Sequence, residues 1–328
     1  MFSLDFRHAV ASAALLTLAA AAAPAALAQA DFPNRPMRIV VANTPGSTVD
    51  LVARHLSERM TATLGQPIVI LNQPGAGGIV GAQTIAQAAK DGYTLGFYGN
   101  TAVIVPHLQK SLTFDPIKDI TTVAIVGNIP FVAVVPKDSA YKDLKQLIEA
   151  AKRAPGSVKL GSAGNGTAIH LAAIQFQSMA GIELLHVPYK GVGPLQTALL
   201  SGEIDVAFPT VGSVAGMVKE GRLRALGVTG KLRAPVLPLV PAVAESGLAG
   251  YEFESWLALV APAGVPEPIM RKLGDEVRAI VASDATQKLF AQNSISPDVL
   301  VGDAAQRVVV RDFDLMGDLV RKSGATAN

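Results

Sequence analysis

Residues 38–50 of this 328-residue chain read RIVVANTPGSTVD, and this stretch decides the fold class. Residues 38–41 are an apolar, β-branched run of the kind that forms a buried strand. A glycine-bearing loop follows, and then a helix is predicted over residues 48–63, with Ser47 or Thr48 as its cap and Asp50 in its first turn. Strand, loop and helix in this order form the repeating unit of a parallel α/β sheet.

The same alternation continues to residue 228. Further strands are predicted at 68–71, 94–98, 122–126, 131–135, 158–160, 184–187, 206–208 and 223–228. Helices are predicted at 77–89, from a cap at Ser139 to Pro155, and at 167–180, 194–200 and 211–219. After a proline-rich loop at 231–241 the predicted elements are a returning strand at 252–260, an amphipathic helix at 268–281 and a last helix capped by Asp303.

This order of elements predicts two α/β lobes. The last helices of the chain do not form another complete α/β unit. The simplest arrangement therefore packs them on the first lobe. Lobe 1 is then 31–135 plus 252–328, and lobe 2 is 136–251. The chain crosses between the lobes twice, which makes a hinge, and ligands favour the cleft between two such domains.

The amino terminus has the pattern of a secretory signal peptide, predicted over residues 1–28. Arg7 precedes an apolar run over residues 9–23, Pro24 breaks the run, and residues 26–28 or 28–30 offer an A-x-A cleavage site. The alternative is a transmembrane helix, but the run is shorter than the roughly 20 residues that a span needs. The sequence therefore predicts export across the cytoplasmic membrane and a soluble protein in the periplasm.

Composition excludes several functional classes. The formal net charge is +2 and Lys and Arg form no stripe, which argues against binding to nucleic acid. The chain has no cysteine, so it has neither disulfides nor thiolate chemistry. Its five histidines are scattered without a metal-ligand spacing, and no nucleotide-binding motif is present. Neither a metal nor a cofactor is predicted.

Three glycine-bearing loops are the candidate binding features: loop 1 (43–50), loop 2 (72–78) and loop 3 (161–167). Each follows a strand and opens a helix, where free backbone N–H groups and the helix dipole favour an anion. Any one of them can be ordinary turn chemistry of an α/β protein. Together, from both lobes, they favour a shared anion site. Loop 3 does not match the G-x-S-x-G motif, so Ser162 has no motif support as a nucleophile.

Five other side chains are open to two interpretations. Lys190 can approach an anion or stay solvated, and Asp205 can face the cleft or cap a turn. His170, one turn into a helix, is more often a packed or hydrogen-bonded side chain than a ligand. Arg54 can form a structural salt bridge, and Trp256 can pack in the core or hinge.

Six blocks in the chain resemble the substrate-binding proteins of tripartite tricarboxylate transporters, the Bug family. In order they are PGSTVD at 45–50 with AR at 53–54, NQPGAGGIVG at 72–81, GSAGNGT at 161–167 with HLA at 170–172, HVPYKG at 186–191, GEID at 202–205 and RLRAL at 222–226. The resemblance runs from about residue 36 to the carboxyl terminus. The order of the blocks makes it specific.

The resemblance implies a type II periplasmic-binding-protein fold with two crossover strands, and a carboxylate held in the inter-lobe cleft. It assigns ligand contacts to Pro45, Gly46, Ser47, Thr48, Asn100, Thr101, Ser162, Ala163, Gly164, Asn165 and Thr167, and it places Asp205 near the pocket. One departure lies in loop 1, where Ser47 stands in place of a usual glycine and either narrows the loop or supplies a hydroxyl.

The resulting hypothesis is a monomeric, non-enzymatic capture protein for a mono-, di- or tricarboxylate, an aromatic acid or an acidic amino acid. Its expected partners are that ligand and the membrane permease of a tripartite transporter, and no nucleic acid. Two alternatives remain open. The same fold can signal to a membrane sensor, or the chain can be an exported hydrolase, which requires a nucleophile–base pair or a metal site.

Overall fold

The computed structural model describes residues 32–75, 78–109 and 112–324, so the predicted signal peptide and residues 76–77 of loop 2 lie outside the described residues. These residues form a six-stranded and a five-stranded sheet. Strands of the first are β1 (Met37–Val41), β2 (Ile68–Asn72), β3 (Thr94–Gly99), β4 (Ile120–Pro130), β10 (Glu254–Pro262) and β11 (Ser296–Val301). Strands of the second are β5 (Val132–Pro136), β6 (Lys159–Ser162), β7 (Leu185–Pro188), β8 (Val206–Ala207) and β9 (Leu223–Val228).

Helices cover both sheets. Those that follow strands of the first sheet are α1 (Thr48–Leu64), α2 (Ile79–Ala86) and α3 (Thr101–Ile104). The second sheet carries α4 (Leu144–Arg153), α5 (Ala168–Ala180), α6 (Val192–Ser201) and α7 (Val211–Lys219). The chain then returns and adds α8 (Glu267–Ala282), α9 (Asp284–Gln292) and α10 (Asp303–Ser323).

Both sheets are mixed. The first has the order β11-β4-β10-β3-β1-β2, in which β1, β2 and β3 are parallel and β10 runs antiparallel to β3 and β4. The second has the order β7-β6-β8-β5-β9, in which β6, β7 and β8 are parallel and β5 runs antiparallel to β8 and β9. Strand β11 pairs antiparallel with β4 at the end of the first sheet. Strands β10 and β5 are the antiparallel strands that follow a crossing from the other sheet.

The register of these strands decides which loops face the crossings. The carboxyl end of β4 lies beside the amino end of β10, with Pro130 opposite Glu254, and both adjoin the carboxyl end of β3. In the second sheet Val132 begins β5 beside the end of β9, and Val132 N–H donates to Pro209 O just beyond β8. Parallel strands end at one edge. The carboxyl ends of β1, β2, β3, β6, β7 and β8 therefore lie at what we call the crossing edge.

The core continues across the crossings. One apolar cluster includes Val40 and Tyr98 of the first sheet, Val134 and Leu160 of the second, and Met316 of α10. A second cluster fills the other face of the first sheet under α1 and α8, where Leu56, Met60 and Leu273 are fully buried. The α10 helix contacts both β4 and α5, so the carboxyl-terminal helix joins the two lobes.

Several sequence predictions need correction. Asp143 caps α4, because its carboxylate accepts the Gln146 N–H at 2.8 Å, whereas Ser139 closes the preceding turn. The α10 cap is Gly302, and Asp303 is the first helical residue. Strand β11 and helix α9 were not predicted. Sheet membership changes between Pro130 and Val132, so β5 pairs in the second sheet although the predicted boundary at 135 places it in lobe 1.

Candidate functional site

Six helices of the described chain begin at the crossing edge. The first sheet supplies the amino ends of α1, α2 and α3, and the second supplies those of α5, α6 and α7. The lobes touch there, because Leu108, which follows α3, lies so close to Gly166 that a Cβ at that glycine would sit 2.6 Å from Leu108 Cδ1. Loop 1, Asn100 and Thr101 therefore lie at the crossing edge of the first sheet, and loop 3 lies at the crossing edge of the second.

Loop 1 is held by a buried carboxylate. Asp50 is 3 % exposed; its Oδ2 accepts the Gly46 N–H at 2.9 Å, and its Oδ1 accepts the Asn72 amide at 2.8 Å. Arg54 Nε donates to Asp50 Oδ2 at 2.9 Å, which confirms the structural salt bridge. Burial raises the pKa of Asp50, but the bonds from Arg54, Asn72 and Gly46 outweigh it and leave the pKa below its usual value.

This network leaves part of loop 1 free for a ligand. Ser47 caps α1 by accepting the Asp50 N–H at 3.2 Å, as predicted, and is half-buried. Pro45, Gly46 and Thr48 are exposed. The Gly46 N–H already has a partner in Asp50, so the remaining donors of the first α1 turn are the better candidates for an anion.

Replacing Asp50 with Asn is expected to lower the free energy of unfolding by about 1.5–3 kcal/mol, because three donors lose a charged acceptor. The lowered pKa also sets the pH window. Asp50 stabilises the fold above its unfolded pKa near 3.8, and this contribution is lost as pH falls through the lower folded pKa. Urea unfolding at neutral and acidic pH should show the variant and the wild type converging at the acidic end. A constant difference at every pH would contradict this role.

The Asn100 side chain bonds to the strand that returns to the first sheet and does not face an open site. It is fully buried, its Nδ2 donates to Glu254 O at 3.3 Å, and its Oδ1 accepts the Ser255 hydroxyl at 2.6 Å. The predicted direct ligand contact does not fit this burial, whereas Thr101, the first residue of α3, is exposed at the crossing edge. Asn100 therefore ties the end of β3 to the returning strand.

Loop 3 is tied by two hydroxyls. Thr167 caps α5 by accepting the His170 N–H at 3.4 Å, and its hydroxyl donates to Gly164 O at 2.8 Å. Ser162 is fully buried; its Oγ lies 3.2 Å from Gly164 N, whose hydrogen it accepts. Direct contact with a ligand, predicted for Ser162, conflicts with this burial. Ala163, Gly164 and Thr167 are half-buried and Asn165 is exposed.

A comparison with known proteins decides the family. The protein-family model described as "Tripartite tricarboxylate transporter family receptor" matches residues 52–324, which is most of the chain. This chain belongs to that family. The resemblance drawn from the six sequence blocks is thereby confirmed.

Relatives of this receptor agree in sequence and in structure. Protein BugT of Bordetella pertussis is 30% identical over 296 residues, which cover 90% of this chain and 91% of BugT. The structure of Rhodopseudomonas palustris Rpa4515 with adipate has 29% identity and a TM-score of 0.73, covering 90% and 99% of the two chains. MatC of the same organism, with bound malate, has 29% identity and a TM-score of 0.69, covering 88% and 100%. The fold is that of periplasmic binding proteins, as predicted.

Asp205 lies away from the crossing edge in this receptor. Its carboxylate accepts the Lys159 N–H at 2.7 Å at the amino end of β6, whereas loop 3 leaves the carboxyl end of that strand. The separation is about 10 Å at the usual rise of a strand. The pocket position implied by the resemblance is therefore wrong for this carboxylate, which closes the far edge of the sheet.

Trp256 has the packing role that was weighed for it, and both interpretations of Lys190 stay open. Lys190, after β7, is exposed to solvent. Trp256 is 2 % exposed on β10, and its indole N–H donates to Asp312 Oδ2 at 2.9 Å. The indole therefore links the returning strand to α10.

Sequence reasoning missed two participants at this edge. Thr210 is the residue before α7 and is half-buried, and within the described chain its side chain makes no capping hydrogen bond. The Phe-Pro-Thr run at 208–210, a strand end followed by a threonine and a helix, was an available signal. His186 Nε2 lies 2.6 Å from Ser162 Oγ, a contact between residues 24 positions apart that no local pattern reveals.

The Ser162–His186 contact bears on the hydrolase alternative, which required a nucleophile–base pair. A nucleophile needs access to substrate and a base oriented by a third group. Ser162 is fully buried, and its hydroxyl serves the loop through Gly164. His186 stacks on the ring of His170 with centroids 3.8 Å apart, and among the residues that the structure describes no carboxylate hydrogen-bonds to His186. This pair has the geometry of a loop support.

The remaining features of the structure were not predicted as part of the site. A cavity of about 420 Å³ between β4, β10, β11 and α10 is lined by acidic side chains that include Glu254. Burial, then Glu252 and Asp298, raise the pKa of Glu254 to about 7. Within the described ranges, no group of three or more His, Cys, Asp or Glu side chains is arranged to hold a metal ion. Among the same residues, no helix has the length and apolarity needed to cross a membrane.

Proposed function

We propose that this receptor resides in the periplasm after cleavage of its signal peptide and captures a small carboxylate between its two lobes. The observation that carries this proposal is the convergence of six helix amino ends at the crossing edge. Each amino end presents unpaired N–H groups and a partial positive charge, and carboxylates are stabilised by both.

The ligand class is supported by the relatives. Adipate and malate are bound by the two Rhodopseudomonas palustris homologues, and both ligands are dicarboxylates. A ligand with a carboxylate at each end suits a cleft that has helix amino ends on both lobes. Loop 1 with Thr101 then binds one end, and loop 3 with Thr210 binds the other.

The proposal also includes delivery of the ligand to a membrane permease. It is supported by the family description, which names a receptor of tripartite tricarboxylate transporters. Ligand binding shifts the receptor from an open to a closed population, and the closed lobes present a composite surface to the permease. The receptor acts as a monomer, needs no cofactor and leaves the ligand unchanged.

Thermal stability against a ligand panel tests the function. The mature protein, residues 29–328, is heated with carboxylates, amino acids, aromatic acids and sugars. A ligand at about 100 times its Kd stabilises the folded state by about 2.7 kcal/mol, so its melting temperature rises with concentration. We expect shifts for dicarboxylates. Shifts confined to sugars or neutral compounds would contradict the anion site.

Loop 3 should be needed for that binding. Ser162→Ala and Thr167→Ala are each expected to weaken carboxylate binding by about 1–3 kcal/mol, because each removes a hydroxyl that fixes the loop. Thr197→Ala is the matched control, since Thr197 is exposed on α6 and its hydroxyl bonds only Gly193 O within its own helix. Calorimetry should show unchanged affinity for the control. Unchanged affinity in both loop variants would place the site elsewhere.

A further inference from the structure

Two histidine rings are stacked beneath loop 3. The rings of His170 and His186 lie face to face, with centroids 3.8 Å apart and an interplanar angle of 8°. Each ring holds a different part of the loop. His170 Nδ1 accepts the Gly166 N–H at 3.2 Å, and His186 Nε2 lies 2.6 Å from Ser162 Oγ. The pair therefore contacts the loop at its first turn and just before its helix.

The Gly166 contact requires an uncharged His170. A neutral imidazole has one ring nitrogen that accepts, whereas an imidazolium carries hydrogens on both nitrogens and only donates. A proton on His170 Nδ1 would face the Gly166 hydrogen, so the bond would be replaced by repulsion. A proton on either ring also places positive charge 3.8 Å from its neighbour.

The surroundings of the pair give little compensation for such a charge. Helices α5 and α6 and strand β7 carry no Asp, Glu, Lys or Arg in their sequences. Helix α10 packs on α5 and carries charged side chains, and its Lys322 ammonium donates to Ser178 Oγ near the carboxyl end of α5 at 3.3 Å. The nearest charged residues along the chain are Lys159 on β6, Glu183 before β7 and Lys190 after it. Glu203 is bound to the Tyr189 hydroxyl at 2.8 Å. From the first lobe, Leu108 packs on Gly166, and the preceding His107 donates its Nε2–H to Phe313 O of α10 at 2.8 Å.

We propose that the stacked His170–His186 pair positions loop 3 for its ligand only while both rings are uncharged, so that protonation of the pair releases the ligand. The ligand half of this proposal rests on the function proposed above. The rings are positioning residues, since they act through Gly166 and Ser162.

The direction of the pH effect follows from burial. Burial, and for His170 also the charge of His186, lowers the pKa of His170 to about 4, and burial lowers the pKa of His186 as well. The neutral pair therefore stabilises the folded loop above the usual histidine pKa of 6.5, and this stabilisation is lost as pH falls through the lower folded values. Ligand affinity should fall over the same acidic range.

A titration without ligand tests the positioning step. Nuclear magnetic resonance follows the Gly166 amide and the two imidazole Cε1–H signals from about pH 7.5 downward. We expect the Gly166 amide to shift, and its hydrogen exchange to accelerate, on the same curve as His170. His170→Asn keeps an acceptor near the Nδ1 position without titrating, so its Gly166 amide should stay constant. A Gly166 amide whose chemical shift and hydrogen exchange do not change as His170 is protonated would overturn the proposal.

A second measurement tests release, with adipate and malate as probes. Apparent affinity scales with the fraction of competent protein, so it should fall about tenfold one pH unit below the apparent pKa of the pair. The ratio of affinities at neutral and acidic pH should approach one in His170→Asn and His186→Gln. His55→Gln is the control. His55 and its hydrogen-bond partner Thr286, 2.8 Å away, both lie in lobe 1, away from the pair, and the pKa of His55 is also lowered. It should keep the wild-type ratio.

The outcomes separate the two proposals. An equal fall in affinity in wild type, His170→Asn and His186→Gln would overturn the pair as the titrating device. A lower affinity in the variants with an unchanged pH profile would assign the rings a purely structural role and also overturn it. If neither dicarboxylate binds at neutral pH, the carboxylate proposal fails, and the Gly166 titration alone decides whether loop 3 depends on the pair.

Discussion

Gly81→Ala is expected to lower the free energy of unfolding by about 1–3 kcal/mol, although alanine is the better helix former. Gly81 lies in the first turn of α2, which packs directly on β1. A Cβ at this position would sit 2.8 Å from Ala42 Cβ, 2.9 Å from Ala42 Cα and 3.0 Å from Gln73 O. Two of these atoms belong to the backbone, so no side-chain rotation relieves the contact, and α2 must move away from the sheet.

The displaced segments carry the binding loops of the first lobe. Ala42 leads into loop 1, and Gln73 belongs to loop 2. We therefore expect Gly81→Ala to weaken carboxylate binding as well as stability. Gly216→Ala is the matched control, because Gly216 also lies within a helix and is exposed, with nothing within 4 Å of its Cβ position. Replacing it should stabilise the protein by about 0.5–1 kcal/mol.

Urea unfolding measures the free energy of unfolding of both variants. We expect it to be lower than in the wild type for Gly81→Ala and higher for Gly216→Ala. If Gly81→Ala were as stable as Gly216→Ala, the close approach of α2 to β1 would be wrong. If it were less stable but bound its ligand with wild-type affinity, loops 1 and 2 would not depend on the seating of α2.

The alternation of strands and helices was predictable because each unit has a local signature. An apolar run followed by a glycine loop and a hydroxyl or acidic cap specifies its own boundary, as loop 1 and Ser47 show. The crossing edge was predictable for the same reason, since parallel strands place such loops together. Strand β11 has no such signature. Its residues are half-buried or exposed, it contains Pro297, and it exists because of long-range pairing with β4.

The site was less predictable than the fold, because burial and partners at a site are tertiary properties. The sequence shows that Ser162 carries a hydroxyl at a strand end, but not that His186 covers it. Asp205 was placed by resemblance, whereas its strand register puts it at the opposite edge. Ser139 was predicted as the α4 cap, whereas Asp143, three residues before Gln146, occupies that position in the structure.

Asp312→Ala is expected to destabilise the protein by about 1.5–3 kcal/mol through the loss of one hydrogen bond to a charged group. Asp312 is 5 % exposed on α10, and Trp256 is 2 % exposed on β10. The indole N–H donates to Asp312 Oδ2 at 2.9 Å, and removing the carboxylate leaves this donor buried without a partner. Arg311, which pairs with the other carboxylate oxygen at 2.8 Å, is mostly exposed and recovers water as its partner.

The link matters because it connects the returning strand to the helix that contacts both lobes. Asp314→Ala is the control, since Asp314 lies on the same helix and is exposed. It should change the free energy of unfolding by less than about 0.5 kcal/mol. Trp256 is the only tryptophan in the chain, so its fluorescence reports the environment of this contact directly. We expect Asp312→Ala to alter the folded-state emission and Asp314→Ala to leave it unchanged.

A double-mutant cycle separates the hydrogen bond from packing. Trp256→Phe removes the donor and keeps an aromatic ring, so in its background Asp312→Ala should cost less than in the wild type by about 0.5–3 kcal/mol. Additive losses would show that Asp312 and Trp256 stabilise the protein independently, and the proposed link between β10 and α10 would then have to depend on apolar contacts. A positive coupling would make this buried pair the connection through which α10 holds the returning strand at the crossing edge.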